Sequence, residues 1–248
     1  MPLENLPPEI RRQLLSILEL EELRALVLAS PVFHQQYLLD RKFLLCKSLE
    51  ATLRSVTVDA SAVCRTSLAA GFSDICTSEK ITQFLKSYQD RRSSTQYSIL
   101  TDRLTEDEAV EMAAFHASII KPLARRYTDW ALANLADETR NSRSQPLNKT
   151  EETRLLRALY RFQLCCNLFG NRNHGDFWQP MLPEIVKMFL CIFEPWEVQE
   201  IACMYTFSKE KYDRIFNDIH WDVHEENPKF EGQRPPTPEW AFNLNNGC

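Results

Sequence analysis

His220 and His224 are the first pair in this chain whose spacing could do chemistry. Four residues apart on a helix, two imidazoles share one face and could hold a zinc ion, with Glu225 or Glu226 as a further ligand. A zinc hydrolase of the H-E-x-x-H type carries its glutamate directly after the first histidine, and here Trp221 stands in that place. Cys165 and Cys166 are adjacent, so a helix sends them to different sides, and a site joining them to His174 and Cys203 needs convergence from distant segments. His116 falls on an apolar helical stripe and is expected as a hydrogen-bonded core histidine rather than a base. Glu21-Glu22, Glu151-Glu152 and Glu225-Glu226 are neighbours that splay apart on a helix, which suits solvated faces and first turns better than paired acid–base work. The expected reading has no catalytic residue, no metal ligand and no cofactor. A metal-dependent enzyme would rest on the His220/His224 spacing alone.

The rest of the composition narrows the field in the same direction. Five glycines in 248 residues is about 2%, against roughly 7% in average proteins. Phosphate-cradling loops, hairpin turns and nucleophile elbows all use glycine for positive φ or close backbone approach. G-x-G-x-x-G, G-x-x-x-x-G-K-[ST] and G-x-S-x-G are all missing. Dinucleotide enzymes, P-loop NTPases and α/β-hydrolases are excluded on that ground. Lys plus Arg is 29 against 34 for Asp plus Glu, a net charge of −5, so nucleic acid is not an expected partner. No apolar run approaches the length of a membrane span, and the opening Met1-Pro2-Leu3-Glu4-Asn5 does not read as a signal peptide. A cytoplasmic or nuclear location is expected, with the eight cysteines as reduced, buried small hydrophobes.

The elements that must position these side chains read as helices. Thr105 and Glu108 form a capping box ahead of Ala109, Met112, Ala113, Ile119, Ile120 and Leu123. Pro122 is expected to kink or split that helix. A further helix runs from Thr150 with Leu155, Leu156, Leu159, Phe162, Cys166 and Phe169 on its stripe and Gly170 as its stop. Ile81, Phe84, Leu85 and Tyr88 mark a shorter one, and two more are expected from Val198 to Tyr205 and from Tyr212 to Ile219. Loops are expected over 89–104, 139–149 and 170–180. The aromatic residues of the last third are expected mostly in the core, and if any region presents an aromatic recognition surface it is this one. The expected fold is all-α, with a three-helix module over 1–54, a helical domain over 55–226 and an extended proline-containing tail over 227–248.

The first fifty residues say most about function. Pro7 and Pro8 sit where a helix begins, with Glu9 in its first turn and Ile10, Leu14, Ile17 and Leu18 on one stripe. A second short helix carries Leu23, Leu26 and Val27 and stops before Pro31, and a third is expected from Val32 to about Leu53. Three short helices cannot bury all this leucine by themselves, so some must face the rest of the chain or a partner. The spaced set Leu6, Pro7, Glu9, Ile10, Leu14, Leu18, Glu22-Leu23, Leu26, Ser30 and Phe33 resembles an F-box, and Ala29-Ser30-Pro31-Val32-Phe33 looks most like the F-box-like proteins of filamentous fungi. The resemblance covers about one fifth of the chain. It implies a non-enzymatic receptor that docks on a Skp-type adaptor of a cullin–RING ubiquitin ligase and holds an unidentified client with its remaining residues. It also implies that Leu6, Pro7, Ile10, Leu14, Leu18, Leu23 and Leu26 face or support that adaptor. Pro31 and Phe33 depart from the basic residue and tryptophan that the family often has there. A stand-alone helical scaffold, with the F-box-like helices part of one core, is the alternative.

Overall fold

The computed structural model describes residues 3–67, 78–93, 100, 104–138, 147–170, 182–224 and 227–230. Among them the regular elements are all helical and no strand occurs, so the fold is all-α. At the N-terminus lie α1 (Pro8–Ser16), α2 (Leu20–Ala29), α3 (Pro31–Leu39) and α4 (Arg41–Leu53). Prolines at the first helical position start α1 and α3, where a missing N–H costs no helical bond. The backbone N–H of Glu19 donates to the Glu22 carboxylate and closes the first turn of α2. Leu15, Leu23, Phe33 and Leu44 form a small core, with Leu14, Leu18, Leu26, Val27, Tyr37 and Phe43 packed around it.

One of these helices serves two cores. Leu44 of α4 points into the small core, while Leu45, Cys46, Leu49 and Leu53 belong to the large core of the body. That is the physical reason the chain does not divide at residue 54. Its two compact units are Met1–Met204 and Tyr205–Cys248, and the expected boundaries at 54 and 226 coincide with neither edge. Further ties join the N-terminal helices to the body. The N–H of Leu20 donates to Thr52 Oγ1 at 2.9 Å, Arg41 pairs with Glu106 at 3.1 Å, and Lys121 pairs with Glu21.

The body is built from α5 (Thr57–Thr66), α6 (Ser78–Ser93), α7 (Glu106–Phe115), α8 (Lys121–Glu138), α9 (Lys149–Phe169), α10 (Leu182–Met188) and α11 (Pro195–Val223). Helix α9 is its axis and packs most extensively on α5. Asn148 caps it, its Oδ1 accepting the N–H of Thr150 at 3.0 Å and of Glu151 at 2.9 Å. Gly170 stops it, yet with an ordinary φ of −60°. The glycine is required because a Cβ there would collide with the carbonyl oxygen of Cys166. The capping box at Thr105 and Glu108 is present.

Several expected elements differ in detail. The helix expected from Val32 to Leu53 is broken at Asp40, whose φ and ψ of −118° and 24° are not helical. Pro122 does not break its helix, which runs on through Glu138; a π turn over His116–Ile120 precedes it, with the Lys121 N–H reaching the His116 carbonyl. The wider turn makes room for a ring that would press on the carbonyl four residues back. The two helices expected between Val198 and Ile219 are one, α11, since no glycine or proline interrupts 206–211. Helix α6 continues through Ser93, past the expected loop start at Gln89. Helix α5 had no helical expectation at all. The expected tail and most of the expected loops lie outside the described residues, apart from a 3₁₀ turn over Pro228–Phe230.

Candidate functional site

The N-terminal helices place the seven expected interface residues in three environments. Pro7 and Ile10 are exposed, Leu6, Leu14, Leu18 and Leu26 are half-buried, and Leu23 is fully within the small core. Leu14, Leu18 and Leu26 pack against that same core. Four of the seven therefore hold the module together, and any surface they support is presented by their neighbours. Those neighbours are unusually apolar. Ile17 is 70% exposed, Leu28 74% and Leu39 82%, with Leu3 and Leu38 also exposed. A surface leucine is ordinary singly, but several large ones on adjacent short helices make this face the candidate interaction surface.

The sequence carried a signal for this set that stripe counting passes over. Helix α2 holds Leu20, Leu23, Leu26, Val27 and Leu28 within ten residues, more apolar side chains than one buried face accommodates. Tyr37-Leu38-Leu39 in α3 likewise cannot all point inward. The Ser30 hydroxyl, buried beside this region, donates to the Glu4 carboxylate and fixes the chain ahead of α1 against the α2–α3 junction.

The densest chemistry lies inside the body, and sequence reading missed it. Asp59 of α5 and Arg161 of α9 are each only 2% exposed. Arg161 Nε donates to Asp59 Oδ1 at 3.0 Å, and its Nη1 donates to Glu197 Oε1 at 2.8 Å. Arg92 of α6 reaches both oxygens of Glu197 at 3.0 and 2.9 Å. The Tyr88 hydroxyl also donates to Asp59. Both guanidiniums lie 4.8 Å from the ring centre of Phe193, which takes a cation–π contact from each.

Charge within this cluster alternates, so each buried ion meets its opposite. Burial alone would raise the Glu197 carboxyl, but the hydrogen bond and charge of Arg161, the Glu194 N–H and the Arg92 charge bring it down to about 2. Burial pushes the Tyr88 hydroxyl well above its ordinary range, and the neighbouring Asp59 adds to that. Every polar member of the cluster is hydrogen-bonded to another, with the Glu197 carboxyl held below the usual carboxylate range and the Tyr88 hydroxyl above its own. The cluster is a strut between α5, α6, α9 and the start of α11.

The remaining candidates are quiet. His116 is buried in the π turn with Nδ1 3.0 Å from the Tyr160 hydroxyl, in agreement with its expected core role. Burial, then the Lys121 charge, lowers it to about 4. His220 and His224 are exposed; Nδ1 of His220 is 2.8 Å from the Asn217 carbonyl, and His224 stacks on Trp221. Glu225, Glu226 and His174 lie outside the described residues, among which no group of three His, Cys, Asp or Glu converges on a metal position. Contrary to expectation, Cys166 and Cys191 are exposed. Burial pushes Cys64 up to about 11 and Cys165 up to about 12, which keeps both as thiols. A cleft of about 600 Å³ is lined by Arg54, Lys149, Arg154, Arg157 and Trp196. Arg154 and Arg157 already share Glu200, and Arg54 pairs with Glu19. Among the described residues no helix is long and apolar enough to cross a membrane. No family model, no curated protein and no solved structure matches the chain.

Proposed function

We propose that this chain is a non-enzymatic interaction protein, an F-box-type receptor that docks through α1–α3 on a Skp-type adaptor and offers the helical body to a client. The observation that carries the reading is the exposed apolar set Ile10, Ile17, Leu28, Leu38 and Leu39 on helices whose own core is already filled. Docking of this kind takes its energy from a few desolvated apolar anchors, each worth about 1–4 kcal/mol on truncation. The packing of Leu14, Leu18 and Leu26 around the small core that Leu23 belongs to favours a supporting role for these four. The reading also draws on the spaced Leu-Pro-x-Glu-Ile set of the first thirty residues.

The test is co-expression of the full chain with a Skp-type adaptor, followed by mass determination in solution. A 1:1 complex that is lost on changing Ile17→Asp and Leu28→Asp supports the reading. A chain that ignores the adaptor favours the stand-alone scaffold, for which the specific observation is that α4 is shared by the small and large cores. In that case the F-box-like helices are a cap on the body.

A further inference from the structure

The part of α11 that belongs to the second unit presents an exposed apolar stripe among the described residues. Tyr205, Tyr212, Phe216, Ile219 and Val223 are all exposed, as is Ile215 beside them. With Lys209 they are spaced four, three, four, three and four residues apart, which is the a/d seam of a two-stranded coiled coil. The seam is about 27 Å long at 1.5 Å per residue. Five of the nine described aromatic residues of the last third are exposed (Trp196, Tyr205, Tyr212, Phe216 and Trp221), against the expectation that most lie in the core.

We infer that this stripe pairs with the same stripe of a second copy, antiparallel, about a two-fold axis near Arg214. The stripe is self-complementary in that sense. Antiparallel pairing sets Tyr205 against Val223 of the second copy, Lys209 against Ile219, and Tyr212 against Phe216, so every a position meets a d position. Charge chooses the direction. A parallel pair would place Lys209 against Lys209 in the seam, a buried like-charge contact. The antiparallel pair carries the Lys209 ammonium past Ile219 to Asp222 of the second copy, one turn further on, where it joins the exposed Lys229 that each copy already places 3.5 Å from its own Asp222. The stretch 205–214 holds three basic and two acidic residues, and 215–224 holds two acidic residues and no Lys or Arg, so opposite ends attract. Asp213 meets its own copy beside the axis, which keeps the pair reversible. The inference is independent of adaptor docking, which uses α1–α3.

The experiment is sedimentation equilibrium on the full chain alone, across micromolar to near-millimolar protein. A reversible monomer–dimer equilibrium is expected. Phe216→Asp should weaken it by about tenfold or more with an unchanged melting temperature, since the side chain it replaces is exposed. Asp213→Asn should tighten it. Lys209→Glu should weaken it, and Lys209→Glu combined with Asp222→Lys should restore it. A wild-type chain that stays monomeric throughout overturns the inference. So does a dimer indifferent to Phe216→Asp, or a double charge exchange that does not restore what Lys209→Glu lost.

Discussion

The cluster around Arg161 and the helices α1–α3 treat side chains in opposite ways. In the first, three charged groups have left water, a fourth, Arg92, is half-buried, and each meets a partner of opposite sign. In the second, large apolar groups remain in water although a core lies one turn away. A satisfied buried network defines which helices touch and at what angle, and leaves nothing over for a ligand. An unsatisfied apolar surface costs solubility unless something covers it. The first region ties α5, α6, α9 and the start of α11 together, and the second is where we propose that a partner docks. Substitutions in the two should therefore divide cleanly between stability and binding.

The largest effect is expected from Arg161→Ala. It leaves Asp59 and Glu197 as buried carboxylates with part of their compensation gone, at a cost of about 3–5 kcal/mol in chemical denaturation. Leu23→Ala should follow at about 2–5 kcal/mol, because Leu23 is a member of the small core and not of the surface. Should Leu23→Ala instead spare stability and abolish adaptor binding, the division between support and contact fails.

Acid should weaken the fold in two stages. His116 has a folded value of about 4 against an ordinary 6.5, so it stays neutral when the unfolded chain has taken up a proton. Its contribution is complete above about 6.5 and is lost as pH falls toward 4. Glu197 has a folded value of about 2 against an ordinary 4.5, so its contribution is complete above about 4.5 and is lost between there and about 2. Denaturation midpoints measured across pH should show both limbs, and His116→Asn should flatten the upper one only. The smallest stability change is expected at the surface. Ile17→Asp and Leu28→Asp should move stability by no more than about 0.5 kcal/mol while removing adaptor binding.

How much of this could be read beforehand depends on range. The all-α class was legible because its signals are local: the capping box at Thr105, the prolines at 7 and 8, and the stripes of α7 and α9. The break at Asp40 and the continuity of α11 were not, because Asp40 interrupts an apolar run without a glycine or proline, and the polar stretch from Ser208 to Lys211 is as good a helix as its flanks. Helix α5 hid behind β-branched residues, whose weak helix propensity is overridden by packing on α9. The buried cluster was invisible for a different reason. Asp59 and Arg161 are 102 residues apart, and nothing local distinguishes either from a surface charge. The seven interface residues illustrate the remaining gap. Their apolar character is plain in the sequence, but which leucine supports and which is presented depends on the crossing of α1, α2 and α3.

Hydrogen exchange on the full chain, with and without a Skp-type adaptor, tests the central claim most directly. The account predicts added protection confined to α1–α3, residues 8–39, with exchange around Asp59, Arg161 and Glu197 unchanged. Protection centred on the body, or no change anywhere at saturating adaptor, would contradict it.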